Sequence, residues 1–74
     1  MMAMAKWEYA DLSAWRGRQR TVYWDGPDGQ WSKEADFVEQ LNQAGQQGWE
    51  AVGYATTIWY NTDGVSCLLK RPLP

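Results

Sequence analysis

Histidine is absent from this sequence of 74 residues, and cysteine occurs only once, as Cys67. Histidine is the side chain that most often acts as a general base near neutral pH and as a ligand for transition metals. A single cysteine cannot form an intrachain disulfide, and no Cys-X-X-Cys pair is present to bind zinc. We therefore expect no disulfide framework, no metal site and no cofactor, and we expect that the protein is not an enzyme.

Long apolar runs are also missing. No stretch approaches the roughly 20 apolar residues of a membrane-spanning helix. The first residues lack the apolar segment of about 7–15 residues that a secretory signal contains. We expect a cytoplasmic protein with no membrane partner, in which residues 1–5 are a flexible N-terminus and residues 6–74 form one small domain.

Aromatic residues, in contrast, are abundant. They make up 15% of the chain, and six of them are tryptophan. A domain of this length buries only about 60% of the surface that its unfolded chain exposes, so its own core provides a small margin of stability. Because the usual disulfide and metal crosslinks are missing, association with a second copy is the remaining way to bury more surface.

Four segments have the alternation or composition of β-strands. In residues 6–12, Trp7 and Tyr9 share one face, and we interpret both as structural residues. The other predicted strands are residues 18–24, 49–60 and 65–71. Residues 25–29, which read Asp-Gly-Pro-Asp-Gly, are predicted to be an irregular turn.

One helix is predicted from Lys33 to about Gln46, with Ser32 as its N-cap. Its apolar residues fall at helical spacing on one face: Phe37, Val38, Leu41 and Ala44. The polar residues Glu39, Gln40, Gln43 and Gln47 are assigned to solvent. The resulting prediction is an α+β, two-layer ββαββ domain, in which one helix packs on one face of an antiparallel sheet.

Residues 45–54, Gly-Gln-Gln-Gly-Trp-Glu-Ala-Val-Gly-Tyr, mark the end of this helix. Gly48 is placed at the C′ position in the left-handed conformation, which glycine adopts without strain. Trp49 then follows at C″, where an apolar side chain folds back over Ala44 or Gln43. We interpret Trp49 as a packing residue of the scaffold rather than as part of a binding site.

Three short motifs are similar to those of a known family. They are Lys-Trp-Glu-Tyr at 6–9, Gly-Trp-Glu at 48–50 and Leu-Lys-Arg-Pro at 69–72. Together they resemble the small bacterial family catalogued as domain of unknown function 4177, whereas residues 13–31 depart from its pattern. The resemblance implies antiparallel strands covered by one helix. It brings no established activity, cofactor or catalytic residue to transfer.

The local cluster of positive charge is Arg-Gly-Arg-Gln-Arg at 16–20. An arginine guanidinium can bind an anionic group through two hydrogen bonds, and a neighbouring aromatic ring can stack on a base. The candidate ligand-binding residues are Trp15, Arg16, Arg18, Arg20 and Trp24. The alternative is that the arginines protect an edge strand from aggregation. A net charge of −2 and a pI near 4.8 argue against nucleic acid as the partner.

Carboxylate pairs are the remaining candidates for catalysis. Asp25 and Asp28 lie in the predicted turn, and Glu8 and Glu50 lie on predicted strands. Turn aspartates commonly accept hydrogen bonds from backbone N–H groups, and glutamates on strands commonly face solvent. We therefore assign no catalytic residue.

The predicted strand 49–60 has large apolar groups on both faces. A single helix can cover only one face of a sheet, and proteins rarely leave a large apolar patch in water. We expect a homo-oligomer, most simply a dimer, built on the sheet face away from the helix. The predicted interface residues are Val52, Tyr54, Ile58 and Tyr60. The reverse assignment, in which the helix covers this face and the face with Trp49 and Trp59 forms the interface, is left open.

The predicted function is a non-enzymatic binding and assembly module that self-associates through this aromatic face. Binding of a small, nucleotide-like anion by the arginine and tryptophan residues of 15–24 is the alternative. A different protein as the partner is also left open.

Overall fold

The structure, a computed structural model, describes residues 6–16, 21–59 and 62–73. They form one antiparallel sheet and one helix, which is an α+β fold as predicted. In chain order the elements are β1 (Trp7–Arg16), β2 (Thr21–Gly26), β3 (Gly29–Glu34), α1 (Phe37–Gln46), β4 (Glu50–Trp59) and β5 (Thr62–Pro72). The strand order across the sheet is β3-β2-β1-β5-β4. The N-terminal segment 1–5, predicted to be flexible, lies outside the described residues.

Three strands precede the helix, so the predicted order ββαββ is wrong by one strand. Only Pro27 and Asp28 form the turn between β2 and β3, and Gly26 pairs directly with Gly29. Gly29 has a φ of 122°, a conformation that glycine adopts readily. β3 was missed because every one of its residues is exposed, so it carries no apolar alternation. It is held in the sheet by backbone pairing with β2.

The helix begins at Phe37, later than predicted. Its N-cap is Asp36, whose carboxylate accepts a hydrogen bond from the backbone N–H of Glu39 at 3.2 Å. Ser32, the predicted N-cap, instead lies in β3 opposite Tyr23. Both residues are good helix N-caps, and the formation of β3 decides between them.

The end of the helix agrees with the prediction. Gly48 has a φ of 94°, and its N–H donates to the carbonyl of Gly45 at 3.0 Å. The N–H of Trp49 donates to the carbonyl of Ala44 at 3.1 Å. These two hydrogen bonds define a Schellman motif. Trp49 is only 6% exposed and belongs to the core, as expected of a packing residue.

The core lies between α1 and the sheet, with the main helix contacts made to β1 and β2. Its buried apolar members are Ala10, Leu12, Val22, Trp24, Ala44, Trp49, Cys67 and Leu69. Phe37 and Leu41 pack against this cluster and are partly buried, as predicted. Val38 was predicted on the same apolar face but is 58% exposed, so that part of the prediction is wrong. Because Ala10 and Leu12 face the helix, Trp7 and Tyr9 point to the opposite face of β1 and are exposed. Their assignment to a strand was correct, but they are not core residues.

A β-bulge changes the alternation of β4. Ala51 lies opposite Leu69 and Gly53 lies opposite Leu68, so Val52 is an extra residue. Beyond the bulge, Tyr54 lies opposite the buried Cys67. Residues directly opposite each other share a face. Tyr54 is therefore on the helix side of the sheet, and its predicted place on the face away from the helix is wrong.

Candidate functional site

The predicted anion-binding residues are described only in part. Arg18 and Arg20 lie outside the described residues, and only the backbone of Trp15 and Arg16 is described, at the end of β1. Trp24 is 7% exposed and belongs to the core. Its ring therefore faces α1 rather than open solvent, and its predicted part in ligand binding stays a prediction. The anion-binding alternative itself stays a prediction.

Trp24 instead forms the wall of a cavity between α1 and the β2–β3 hairpin, which we call the tryptophan pocket. The cavity has a volume of about 260 Å³. Its polar lining includes Asp28 and Lys33 from the hairpin and Gln40, Gln43 and Gln47 from the helix. Trp31 of β3 completes the aromatic wall.

The aromatic wall is held by contacts in three directions. Trp24 and Trp31 are opposite each other on β2 and β3, and their rings stack with centroids 5.8 Å apart and planes 11° apart. The ring of Trp49 meets Trp24 edge-on at 5.3 Å. The indole N–H of Trp24 donates to the Asp28 carboxylate at 3.2 Å. Trp31, Trp49 and Asp28 thus contact the Trp24 ring on different sides.

Gln40 is the unexpected member of the pocket. Its side chain is 7% exposed, and its Oε1 is buried without a hydrogen-bond donor among the described residues. The sequence interpretation placed Gln40 in solvent, which is wrong. A signal was present, because Gln40 follows Phe37 by three residues and precedes Ala44 by four, and such residues share one helix face.

A second concavity lies on the sheet face opposite α1, and we call it the aspartate depression. It has a volume of about 490 Å³ and is lined by polar side chains that include Ser13, Tyr23 and Ser32. Its two acidic residues are Asp11 of β1 and Asp25 of β2, which lie directly opposite each other. The sequence interpretation instead grouped Asp25 with Asp28.

The environment of Asp11 changes the pKa of its carboxyl group. Burial raises the pKa of its carboxyl above the usual range, and the nearby charge of Asp25 raises that pKa further. In the described part of the chain, no group of three or more metal-ligating side chains occurs. The aspartate depression therefore contains a pair of acidic side chains, Asp11 and Asp25, in which the charge of Asp25 disfavours ionisation of Asp11.

Cys67 lies in β5 on the helix-facing side of the sheet and is buried in the core. Burial raises the pKa of its thiol, with a further contribution from the charge of Asp11. The thiol is therefore neutral near pH 7, whereas a cysteine nucleophile reacts as the thiolate. The sequence interpretation of Cys67 as a small buried apolar residue is confirmed.

The other predicted pair of carboxylates is separated by the sheet. Glu8 of β1 forms an ion pair with Arg71 of β5. Glu50 of β4 lies opposite Lys70. Because β5 stands between β1 and β4, Glu8 and Glu50 are not on neighbouring strands.

The predicted interface residues all fall on or beside β4, at one edge of the sheet. Tyr54 is 64% exposed and Val52 is 44% exposed. The structure describes only the backbone of Ile58, and Tyr60 lies outside the described residues. Every side chain from Ala51 to Thr56 is exposed, including those on the helix side, so α1 leaves this edge uncovered.

We compared the chain with models of protein families, with curated proteins and with solved structures. It matches none of them significantly. The resemblance to domain of unknown function 4177 therefore stays a prediction. In residues 6–16, 21–59 and 62–73, no helix has the length and apolarity to cross a membrane.

Proposed function

We propose that the protein is a non-enzymatic assembly module that forms a homodimer through β4. The observation that carries this proposal is the exposed edge at β4. This strand pairs with β5 on one side and has no second partner among the described residues. An edge strand presents a row of backbone N–H and C=O groups to which another strand can pair.

The composition of β4 supports pairing with another chain. Residues 51–59 contain no charged residue and no proline, and β-branched or aromatic residues predominate in their second half. Natural edge strands are usually protected by charge, proline, short length or a bulge. Here the bulge at Val52 affects only the beginning of the strand.

The opposite edge of the sheet is built differently. β3 has six residues, ends in Lys33 and Glu34, and has glycine as its first residue. β4 has ten residues. A short strand with charged side chains is a poor template for pairing, so the two edges differ in the way expected of one protected edge and one binding edge.

A second copy is the partner that the edge suits best. Two β4 strands related by a twofold axis pair in antiparallel orientation, and each copy supplies the same residues to the interface. Residues 51–59 bring no like charges together in that arrangement. Tyr54 on the helix side then supplies aromatic contact area beside the backbone hydrogen bonds.

The test is a molar-mass measurement by light scattering on the purified chain and on Ala55→Lys. Ala55 is an exposed residue in the middle of β4, so a lysine there places charge on the edge without entering the core. We expect a dimer for the wild type and a monomer for Ala55→Lys. Gln30→Lys is the matched control, because Gln30 is an exposed residue on the β3 edge. This variant should remain dimeric.

A folded wild-type monomer of 8.5 kDa at about 50 μM, well above micromolar dissociation constants, would contradict the proposal. If Gln30→Lys dissociates the dimer and Ala55→Lys does not, the interface is at β3 instead. Circular dichroism of both variants checks that the fold is retained.

A further inference from the structure

We propose that the tryptophan pocket binds a small, neutral, hydroxyl-rich ring the size of one sugar unit. This inference concerns a site separate from β4 and does not depend on dimer formation. It rests on the buried Gln40 oxygen, on the balance of charge in the pocket, and on its size and shape.

The Gln40 side chain provides the first argument. It lines the pocket, and its Oε1 is buried with no donor among the described residues. A buried polar atom without a hydrogen bond costs free energy, and native proteins contain few of them. If the Gln40 amide turns toward the pocket when a ligand enters, a ligand hydroxyl can donate to this oxygen and remove that cost. The unsatisfied atom thus favours a ligand with a hydrogen-bond donor.

The charges around the pocket favour a neutral ligand. The hairpin contributes one cation, Lys33, and one anion, Asp28. Their opposite charges select neither an anion nor a cation. Gln43 and Gln47 add amide groups, each with two N–H donors and a carbonyl acceptor. A hydroxyl group both donates and accepts, so a ring bearing several hydroxyls can satisfy such a mixed lining.

The size of the pocket limits the ligand to a single ring. Pockets for drug-sized ligands have volumes of roughly 300–1,000 Å³. The tryptophan pocket, at about 260 Å³, lies just below this range. Gln43, Gln47 and Lys33 are exposed, so the pocket opens to solvent at their side.

The stacked tryptophans argue against a flat nucleobase held between two rings. Trp24 and Trp31 have centroids 5.8 Å apart. An inserted aromatic ring needs about 7 Å between the two planes, twice the contact distance of about 3.5 Å. Trp31 is 37% exposed, with Trp24 stacked against its ring and the Lys33 ammonium 5.4 Å from the ring centroid. The part of the ring that these two contacts leave open offers an apolar surface to the C–H groups of a saturated ring.

The experiment measures binding of D-glucose, N-acetyl-D-glucosamine and myo-inositol by tryptophan fluorescence and thermal shift. A ring with about 12 non-hydrogen atoms is expected to bind with a dissociation constant in the millimolar range. At least one of these probes should therefore change the fluorescence and raise the melting temperature at about 10 mM. Adenosine and uridine are measured in parallel as planar heterocycles.

Gln40→Leu is the decisive variant, since leucine has a similar size and cannot accept a hydrogen bond. We expect it to weaken the binding of the probe about tenfold, while its own melting temperature stays the same or rises, because the unsatisfied oxygen is gone. Gln46→Leu makes the same change at an exposed helix position outside the pocket lining and should leave binding unchanged.

Three results would overturn the proposal. They are no response to any of the three hydroxylated probes, a response to the nucleosides alone, and full binding by Gln40→Leu. Should Gln40→Leu fail to fold, Gln43→Leu replaces it, because Gln43 is exposed and also lines the pocket. Undiminished binding by Gln43→Leu would then count against the site.

Discussion

Gly45 and Gly48 lie three residues apart at the end of α1 but have opposite conformational requirements. Gly48 has a φ of 94°, whereas Gly45 lies inside the helix. A Cβ at either position would meet no atom within 4 Å, so packing does not distinguish them. Any difference between alanine substitutions at the two positions therefore comes from the backbone.

We expect Gly48→Ala to destabilise the protein by about 1 kcal/mol, because alanine is strained in the left-handed conformation. Gly45→Ala should stabilise it by about 0.5–1 kcal/mol, since alanine has the higher helix propensity. Chemical denaturation monitored by tryptophan fluorescence measures both changes. If both substitutions destabilise the protein by a similar amount, the left-handed conformation of Gly48 in the Schellman motif is not the cause of the effect of Gly48→Ala.

The residues around this helix end differ in how well their roles could be predicted. Gly48 and Trp49 were assigned correctly because a C-cap depends on a few neighbouring residues. Gln40 was assigned to the wrong environment because its residue type is usually exposed. Its position on the helix face indicated burial, and here the position outweighs the residue type.

At the scale of elements, the pairing of β1 with β2 decides which charges meet. The register places Asp11 opposite Asp25, although the two residues are far apart in sequence. Like charges directly opposite each other destabilise a sheet. The raised pKa of Asp11 reflects its burial first and this repulsion second.

This pair leads to a prediction about pH. A carboxyl whose pKa is higher in the folded than in the unfolded protein destabilises the fold when it is ionised, and the effect disappears once both states are protonated. Asp11→Asn should therefore raise the melting temperature at pH 7 and change it little near pH 3, below the usual aspartate pKa of about 3.9. An equal rise in melting temperature at pH 7 and near pH 3 would show that the charge of Asp11 is not its cause.

The elements were predicted with unequal success for a physical reason. The alternation in β1 and the apolar spacing in α1 are local patterns, and both elements were found. β3 consists of exposed residues and depends on the turn at Pro27 and Asp28 and on pairing with β2. Such a strand carries no burial pattern of its own, so the sequence interpretation extended the helix toward it.

At the scale of the whole molecule, the helix and the exposed edge lie at different parts of the sheet. The main contacts of α1 are with β1 and β2, whereas β4 lies beyond β5. The side chains of 51–56 are exposed on both faces. Burial in a dimer would add to the limited core of a short chain.

If β4 forms the dimer, thermal stability must depend on protein concentration, since a partner that binds only the folded chain stabilises it by mass action. A dilution of about 100-fold weakens a dimer by about 2.7 kcal/mol, so the melting temperature should fall by several degrees. Scanning calorimetry at two concentrations measures the shift. Ala55→Lys should have the same melting temperature at both concentrations. If the wild-type calorimetric curves at the two concentrations superimpose, dimer formation is contradicted.

The sequence by itself determined the class of fold, the approximate helix and four of the strands, and the cap at Gly48. These features follow from periodicity and from contacts between near neighbours. Only the tertiary structure decided which face of β1 is buried, that Tyr54 lies on the helix side, and that Asp11 faces Asp25. A period-two pattern defines two faces of a strand, but the elements packed against it decide which face becomes core and which residues meet across it.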